Sequence, residues 1–190
     1  MGLSFIYAGM VESVDSSDLG SDVIRRAGSS PATGTKNKPS RRGTIMKKQE
    51  YLDLQEKHRK EMEEFPIAYA FNDKQLQEAL RKLGAVKEEC VSVFGHGDIV
   101  KRTDAKRLIE MLKRHTDEIK DRLKSDPDFA YAAFLYEMDN HEYAINWSAD
   151  EDVLGCFAIT FDDIREWGLQ LVYDKARNQH MRNAEEWGMI

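Results

Sequence analysis

The stretch before Met46 limits what this chain can fold into more than any other feature, because it reads as a transfer-RNA gene translated in a protein frame. Codons for Ala8, Gly9 and the start of Met10 can spell GCCGGTA, and those for Ala32 to Gly34 can spell its complement. Codons within Ser16 to Asp22 can form an anticodon stem around a loop carrying the leucine anticodon UAG. Ala27 to Ala32 can spell a T arm. Thr35 and Lys36 can supply the terminal ACCA, and Arg41, Arg42 and Gly43 a ribosome-binding sequence ahead of an ATG at Met46. The Ser- and Gly-rich composition independently points to a disordered tail. The expectation is therefore that residues 1–45 are a disordered, spurious extension from a misplaced start. Phe5, Ile6 and Val14 should then stay out of the core, and residues 46–190 should form a single globular domain.

Residues 1–45 hold six Lys/Arg and four Asp/Glu, so residues 46–190 keep 22 basic against 30 acidic side chains, a net charge of −8. Their 145 residues suffice for one domain with a real core. The acidic excess disfavours broad duplex binding, which needs a net basic face. Cys90 and Cys156 each sit among apolar neighbours and read as buried free thiols of a reducing cytosol. No metal-ligand spacing is legible around them, so neither a metal nor another cofactor is expected. LSFIYAGMV is too short for a signal core and lacks a basic flank. No apolar run approaches the ~20 residues that span a bilayer. A cytoplasmic protein of a bacterial host cell, without membrane contact, is the resulting expectation.

Hydrophobic periodicity then sets the elements. Tyr51, Leu54, His58, Met62 and Phe65 recur at three- and four-residue steps, one stripe of an amphipathic helix that Pro66 stops. Asn72 is a good N-cap for a second helix through Leu83, and Gly84 suits its C′ position. The runs 90–94 and 98–102 are β-prone and flank Gly95-His96-Gly97, predicting a hairpin near 90–102. A long helix capped at Thr103 or Asp104 should bury Leu108, Met111, Leu112, His115, Ile119 and Leu123. Pro127 fits the first turn of the next and most apolar helix. The alternation from His141 to Trp147 predicts a third strand for the sheet. Ser148 and Thr160 can cap short helices, and a final helix carries Leu171, Val172, Ala176, Met181 and Trp187. The sum is an α+β fold, mainly helical, with a small antiparallel sheet.

Three clusters could carry chemistry. Gly95-His96-Gly97-Asp98 combines a permissive backbone with acid–base groups, although glycines in a tight turn explain it equally. Asp139-Asn140-His141-Glu142 could present a carboxylate beside an imidazole, whereas Asp and Asn also end helices through side-chain-to-backbone bonds. His96, Asp98, His141 and Glu142 are thus the catalytic candidates. Arg102, Lys106, Arg107, Lys113 and Arg114 form a basic ridge suited to phosphates. Interleaved acids such as Asp104, Glu110 and Asp117 favour a solvated mixed face instead. No nucleophile-elbow motif is present, and neither cysteine has a His partner evident from sequence.

The segments KEMEEFPIAYAFNDKQLQEALRKLG, SVFGHGDIVKRTDAKRLIEML and FLYEMDNHEYAINW stand out from Met46 onward. Through them the chain resembles, over most of residues 46–170, a family of small uncharacterised bacteriophage and bacterial proteins. The resemblance implies a phage or prophage accessory gene, as does a tRNA gene upstream, and it transfers no catalytic residue. The leading expectation is a non-enzymatic protein that binds a host or phage protein. The alternatives are a metal-assisted or acid–base enzyme using the His96/Asp98 and His141/Glu142 clusters, or nucleic-acid binding through the ridge at 101–114.

Overall fold

A computed structural model describes residues 41–146 and 148–190. Helix α1 (Arg41–Glu64) opens the domain and ends just before Pro66. It begins five residues ahead of Met46, so 41–45 depart from the expected unstructured tail. Gly43 is the sole strong helix-breaker among them and costs only about 1 kcal/mol in a helix interior. Phe5, Ile6 and Val14 lie outside the described residues. After α1 come strand β1 (Ala68–Tyr69), helix α2 (Asp73–Leu83), strands β2 (Cys90–Val91) and β3 (Asp98–Lys101), and helix α3 (Arg102–Ser125). The C-terminal half is helical: α4 (Pro127–Asn140), α5 (Ala149–Gly155), α6 (Phe161–Glu166) and α7 (Gln170–Glu186).

Local chemistry places most of these ends. Asn72 accepts from the Gln75 amide, and Gly84 closes α2 at φ 58°. Asp126 accepts from the amides of Asp128 and Phe129 ahead of Pro127. Thr160 and Asp163 form a reciprocal capping box. Thr103, Asp104 and Ser148 do not cap as expected. The N-cap of α3 is Lys101, two residues before Thr103, and the Ser148 side chain makes no capping bond.

The sheet has the order β1-β3-β2, with both pairs antiparallel. Cys90 faces Lys101 and Val91 faces Val100, giving the expected hairpin. The described residues 141–146 of the expected third strand at 141–147 do not form one. Residues 141–145 form turns closed by Tyr143 N–H to Met138 O and Ile145 N–H to Glu142 O. β1 takes the place instead, with Ala68 opposite Ile99 and Tyr69 opposite Asp98. A two-residue strand shows no alternation, and the alternation at 141–145 arises because a capping turn buries Tyr143 between exposed Glu142 and half-buried Ala144.

α1 and α3 run antiparallel, tied by Lys47 to Asp126 at one end and Lys57 to Glu118 nearer the other. Consecutive β3 residues point to opposite faces. Val100 enters a cluster with Met62, Phe65, Leu108 and Leu112, and Ile99 one with Ala68 and Ala79 of α2. The main core lies around α4, where Phe129, Phe134 and Met138 pack with Tyr51, Leu123, Phe157 and Tyr173. No helix among the described residues is long and apolar enough to cross a membrane.

Candidate functional site

The hairpin turn shows how the Gly-His-Gly-Asp motif is used. Asp98 is 1 % exposed. Its carboxylate accepts from Ser92 Oγ at 2.7 Å, Val93 N–H at 2.6 Å and Phe94 N–H at 3.1 Å. Burial would raise its pKa, but these bonds from Val93, Ser92 and Phe94 outweigh it and hold the carboxyl below its ordinary value. Gly97 has φ 79°, and a Cβ there would meet Ala70 O at 2.8 Å and the Phe71 ring at 2.9 Å. The motif is therefore a turn built on a buried acceptor. His96 is exposed at its tip.

The second cluster divides. Glu142 is exposed at φ 50°, and Asp139 binds His180 rather than its sequence neighbours. His180 is buried, with Nδ1 2.7 Å from Asp139 and Nε2 accepting from the Ala144 amide at 3.2 Å. That imidazole uses both nitrogens to anchor the turn after α4 to α7. His141 instead meets Glu137, one turn earlier on the same helix face, and Cys156 at the end of α5. The structure does not join His96 and Asp98 to this group. Asp98 belongs to the hairpin, and the convergent set is Glu137, His141 and Cys156.

In that set, Cys156 Sγ lies 3.2 Å from His141 Nε2, and the same nitrogen is 3.6 Å from Glu137 Oε2. A nucleophilic relay needs the base to use one ring nitrogen for the thiol and the other for its orienting carboxylate. Here both neighbours approach one nitrogen. Burial first, and Glu137 second, push the Cys156 thiol well above its ordinary pKa, opposite to an activated thiolate. Glu137 is 1 % exposed. Its Oε1 accepts from Tyr51 OH at 2.6 Å and Gln55 Nε2 at 3.1 Å, and its Oε2 from Asn140 Nδ2 at 3.3 Å.

A further pair sits between α1 and α3. The rings of His58 and His115 stack at 4.0 Å, 10° from parallel. Their Nε2 atoms meet Glu118 at 3.0 Å and Glu61 at 2.8 Å respectively. Burial holds the His58 imidazole below its ordinary pKa against the opposing pull of Glu118, and the neighbouring His115 reinforces the lowering. The sign follows from proton linkage. The folded protein binds this proton less readily than the unfolded chain, so the stabilisation is complete above about pH 6.5 and is lost as pH falls below it. Urea midpoints should drop between pH 7.5 and 5, less steeply in His58→Gln. Parallel slopes in the two proteins would show that His58 is not the group responsible.

The basic ridge is engaged by its own chain. Arg102 donates to Glu88 O, Lys106 pairs with Glu110, and Arg107 pairs with Asp104 while covering the Phe65 ring. Lys113 pairs with Asp117 and Arg114 with Glu61. Sequence reasoning missed the convergence at Cys156. The Glu137/His141 spacing was available as a signal, but the cysteine's approach depends on the path of the intervening turn.

These features define a small, mainly helical α+β domain whose interior holds histidines on carboxylates and a mixed Glu/His/Cys cluster. The chain belongs to a family of unknown function (DUF7659), whose model matches residues 50–179. No curated protein and no solved structure matches it.

Proposed function

We propose that the chain is a non-enzymatic binding module, a phage or prophage accessory protein that engages a host or phage protein. The observation that carries this reading is the aromatic pair on the sheet end of the domain. Phe71 is 76 % exposed and Tyr69 42 %. Single exposed apolar residues are ordinary. This pair, however, sits on backbone held by two bonds: Ala70 N–H to Gly97 O, and Phe71 N–H to Gln75 Oε1, both at 2.8 Å. Rigidly presented aromatics are the residues that anchor protein interfaces at low entropic cost.

The resemblance to phage and bacterial proteins and the acidic balance agree with this reading. The acid–base alternative is less favoured, because Asp98 is committed to its turn and Glu142 faces outward. Nucleic-acid binding is less favoured because acidic side chains lie beside the ridge cations, Glu110 at Lys106, Asp104 at Arg107 and Asp117 at Lys113. The test uses the full chain as bait in host extracts, with and without phage infection, comparing wild type with Phe71→Ala. One stoichiometric partner, bound about tenfold or more weakly by the variant, is expected of a hot-spot residue. Recovery of no partner, or equal binding by both baits, would refute it.

A further inference from the structure

We propose that Glu137, His141 and Cys156 bind one divalent cation of borderline softness, Zn²⁺ before all others. The inference is independent of the binding-module reading. Tetrahedral bonds of about 2.0–2.3 Å place neighbouring ligand atoms roughly 3.3–3.6 Å apart. Here Sγ to Nε2 is 3.2 Å and Nε2 to Oε2 is 3.6 Å, and all three donor atoms lie within 4.8 Å of one another.

Charge points the same way. The other groups bonded to the buried Glu137 carboxylate are the neutral Tyr51, Gln55 and Asn140. A cation on Oε2 would offset the cost of burying that carboxylate. A divalent cation bound by one carboxylate and one thiolate leaves the cluster neutral, with the thiol proton released to solvent.

The surroundings are those of a supported ligand set. Tyr51 and Gln55 hold Oε1 and Asn140 holds Oε2, fixing the carboxylate plane from outside. Asn146 donates to His141 O at 3.3 Å and Asp152 Oδ2 at 2.7 Å, so one amide ties the His141 backbone to the Asp152 side chain of α5. Glu137 in the last turn of α4 and His141 at its C-cap lie at an i,i+4 step, and Cys156 closes the set from the end of α5. Sulfur, nitrogen and oxygen together select against Ca²⁺ and Mg²⁺, which take oxygen ligands. Three protein ligands leave a fourth position for water or a donor from a partner.

The experiment is a Co²⁺ titration of the reduced, chelator-stripped full chain. Expected are saturation at one equivalent, tetrahedral d–d bands in the visible, and a thiolate-to-cobalt charge-transfer band, all displaced by Zn²⁺. Cys156→Ser should erase the charge-transfer band, and Cys90→Ser should keep it. Tyr51→Phe, a positioning change, should weaken Co²⁺ binding about 10- to 100-fold, and His141→Ala should weaken it at least as much. No charge-transfer band in the wild type, its persistence in Cys156→Ser, or its loss in Cys90→Ser would overturn the assignment. Should Cys156→Ser lose its far-UV circular dichroism, alkylation of the wild type replaces it. Zn²⁺ must then protect Cys156 and leave Cys90 reactive, and equal labelling of Cys156 with and without Zn²⁺ overturns the proposal.

Discussion

Phe134→Ala should cost about 3–5 kcal/mol, the range for deleting a fully buried phenyl ring, where lost transfer energy and the cavity left behind add together. Phe134 is 0 % exposed and lies in the middle of α4. Its ring meets Phe157 edge-on at 5.4 Å and Tyr173 at 5.2 Å, contacts worth more than their area alone. Those two rings belong to the segment after α5 and to α7, so the truncation loosens the attachment of the C-terminal half to α4. With total stability of about 5–15 kcal/mol typical for a domain, the variant should stand near its unfolding threshold. Its midpoint should fall by roughly 10 °C or more for a chain of this size. Urea denaturation with an unchanged m-value checks it. A loss below about 1 kcal/mol would mean that α4 is not the centre of the core.

Glu137→Ala should cost about 2–4 kcal/mol in metal-free protein, because it strands the hydroxyl proton of Tyr51, which cannot reach water. Tyr51 is 0 % exposed, and its hydroxyl donates to Glu137 Oε1. Burial foremost, and then the neighbouring carboxylate, raise the Tyr51 phenol well above its ordinary pKa, so it remains a donor at any physiological pH. Tyr51→Phe alone should cost about 1.5–3 kcal/mol, the range of a hydrogen bond to a charged group. The double variant should cost less than the two single losses added together, by about 0.5–3 kcal/mol, because it leaves no orphaned hydroxyl. Additive losses in this double-mutant cycle would show that the 2.6 Å bond carries no coupling.

Much of the helical architecture was legible in the order of residues. The stripe Tyr51, His58, Met62, Phe65 is buried as its spacing predicts, and so are Leu108, Leu112, His115 and Leu123 on α3. Asn72, Gly84, Thr160 and Pro127 occupy the helix-end positions their chemistry favours. The α+β class and the hairpin near 90–102 follow from the same signals. The site was legible only in fragments. His141 was visible as a candidate, but paired with Glu142 instead of Glu137. Asp98 looked like an acid–base group because sequence cannot show that its oxygens are taken by three donors of its own turn.

The dividing line is the range of the interactions involved. Caps, turns and amphipathic stripes arise between residues three or four apart, so the sequence by itself determined where α1 stops, both ends of α2, where α4 and α6 begin, and which faces of α1 and α3 go inside. Membership of β1 in the sheet depends on pairing with β3 some thirty positions later, and its two residues carry no periodicity of their own. Cys156 stands fifteen residues from His141, beyond the reach of any local rule. Its thiol meets the imidazole only because α5 packs back onto α4, so tertiary structure alone brought Cys156 to the local Glu137/His141 pair.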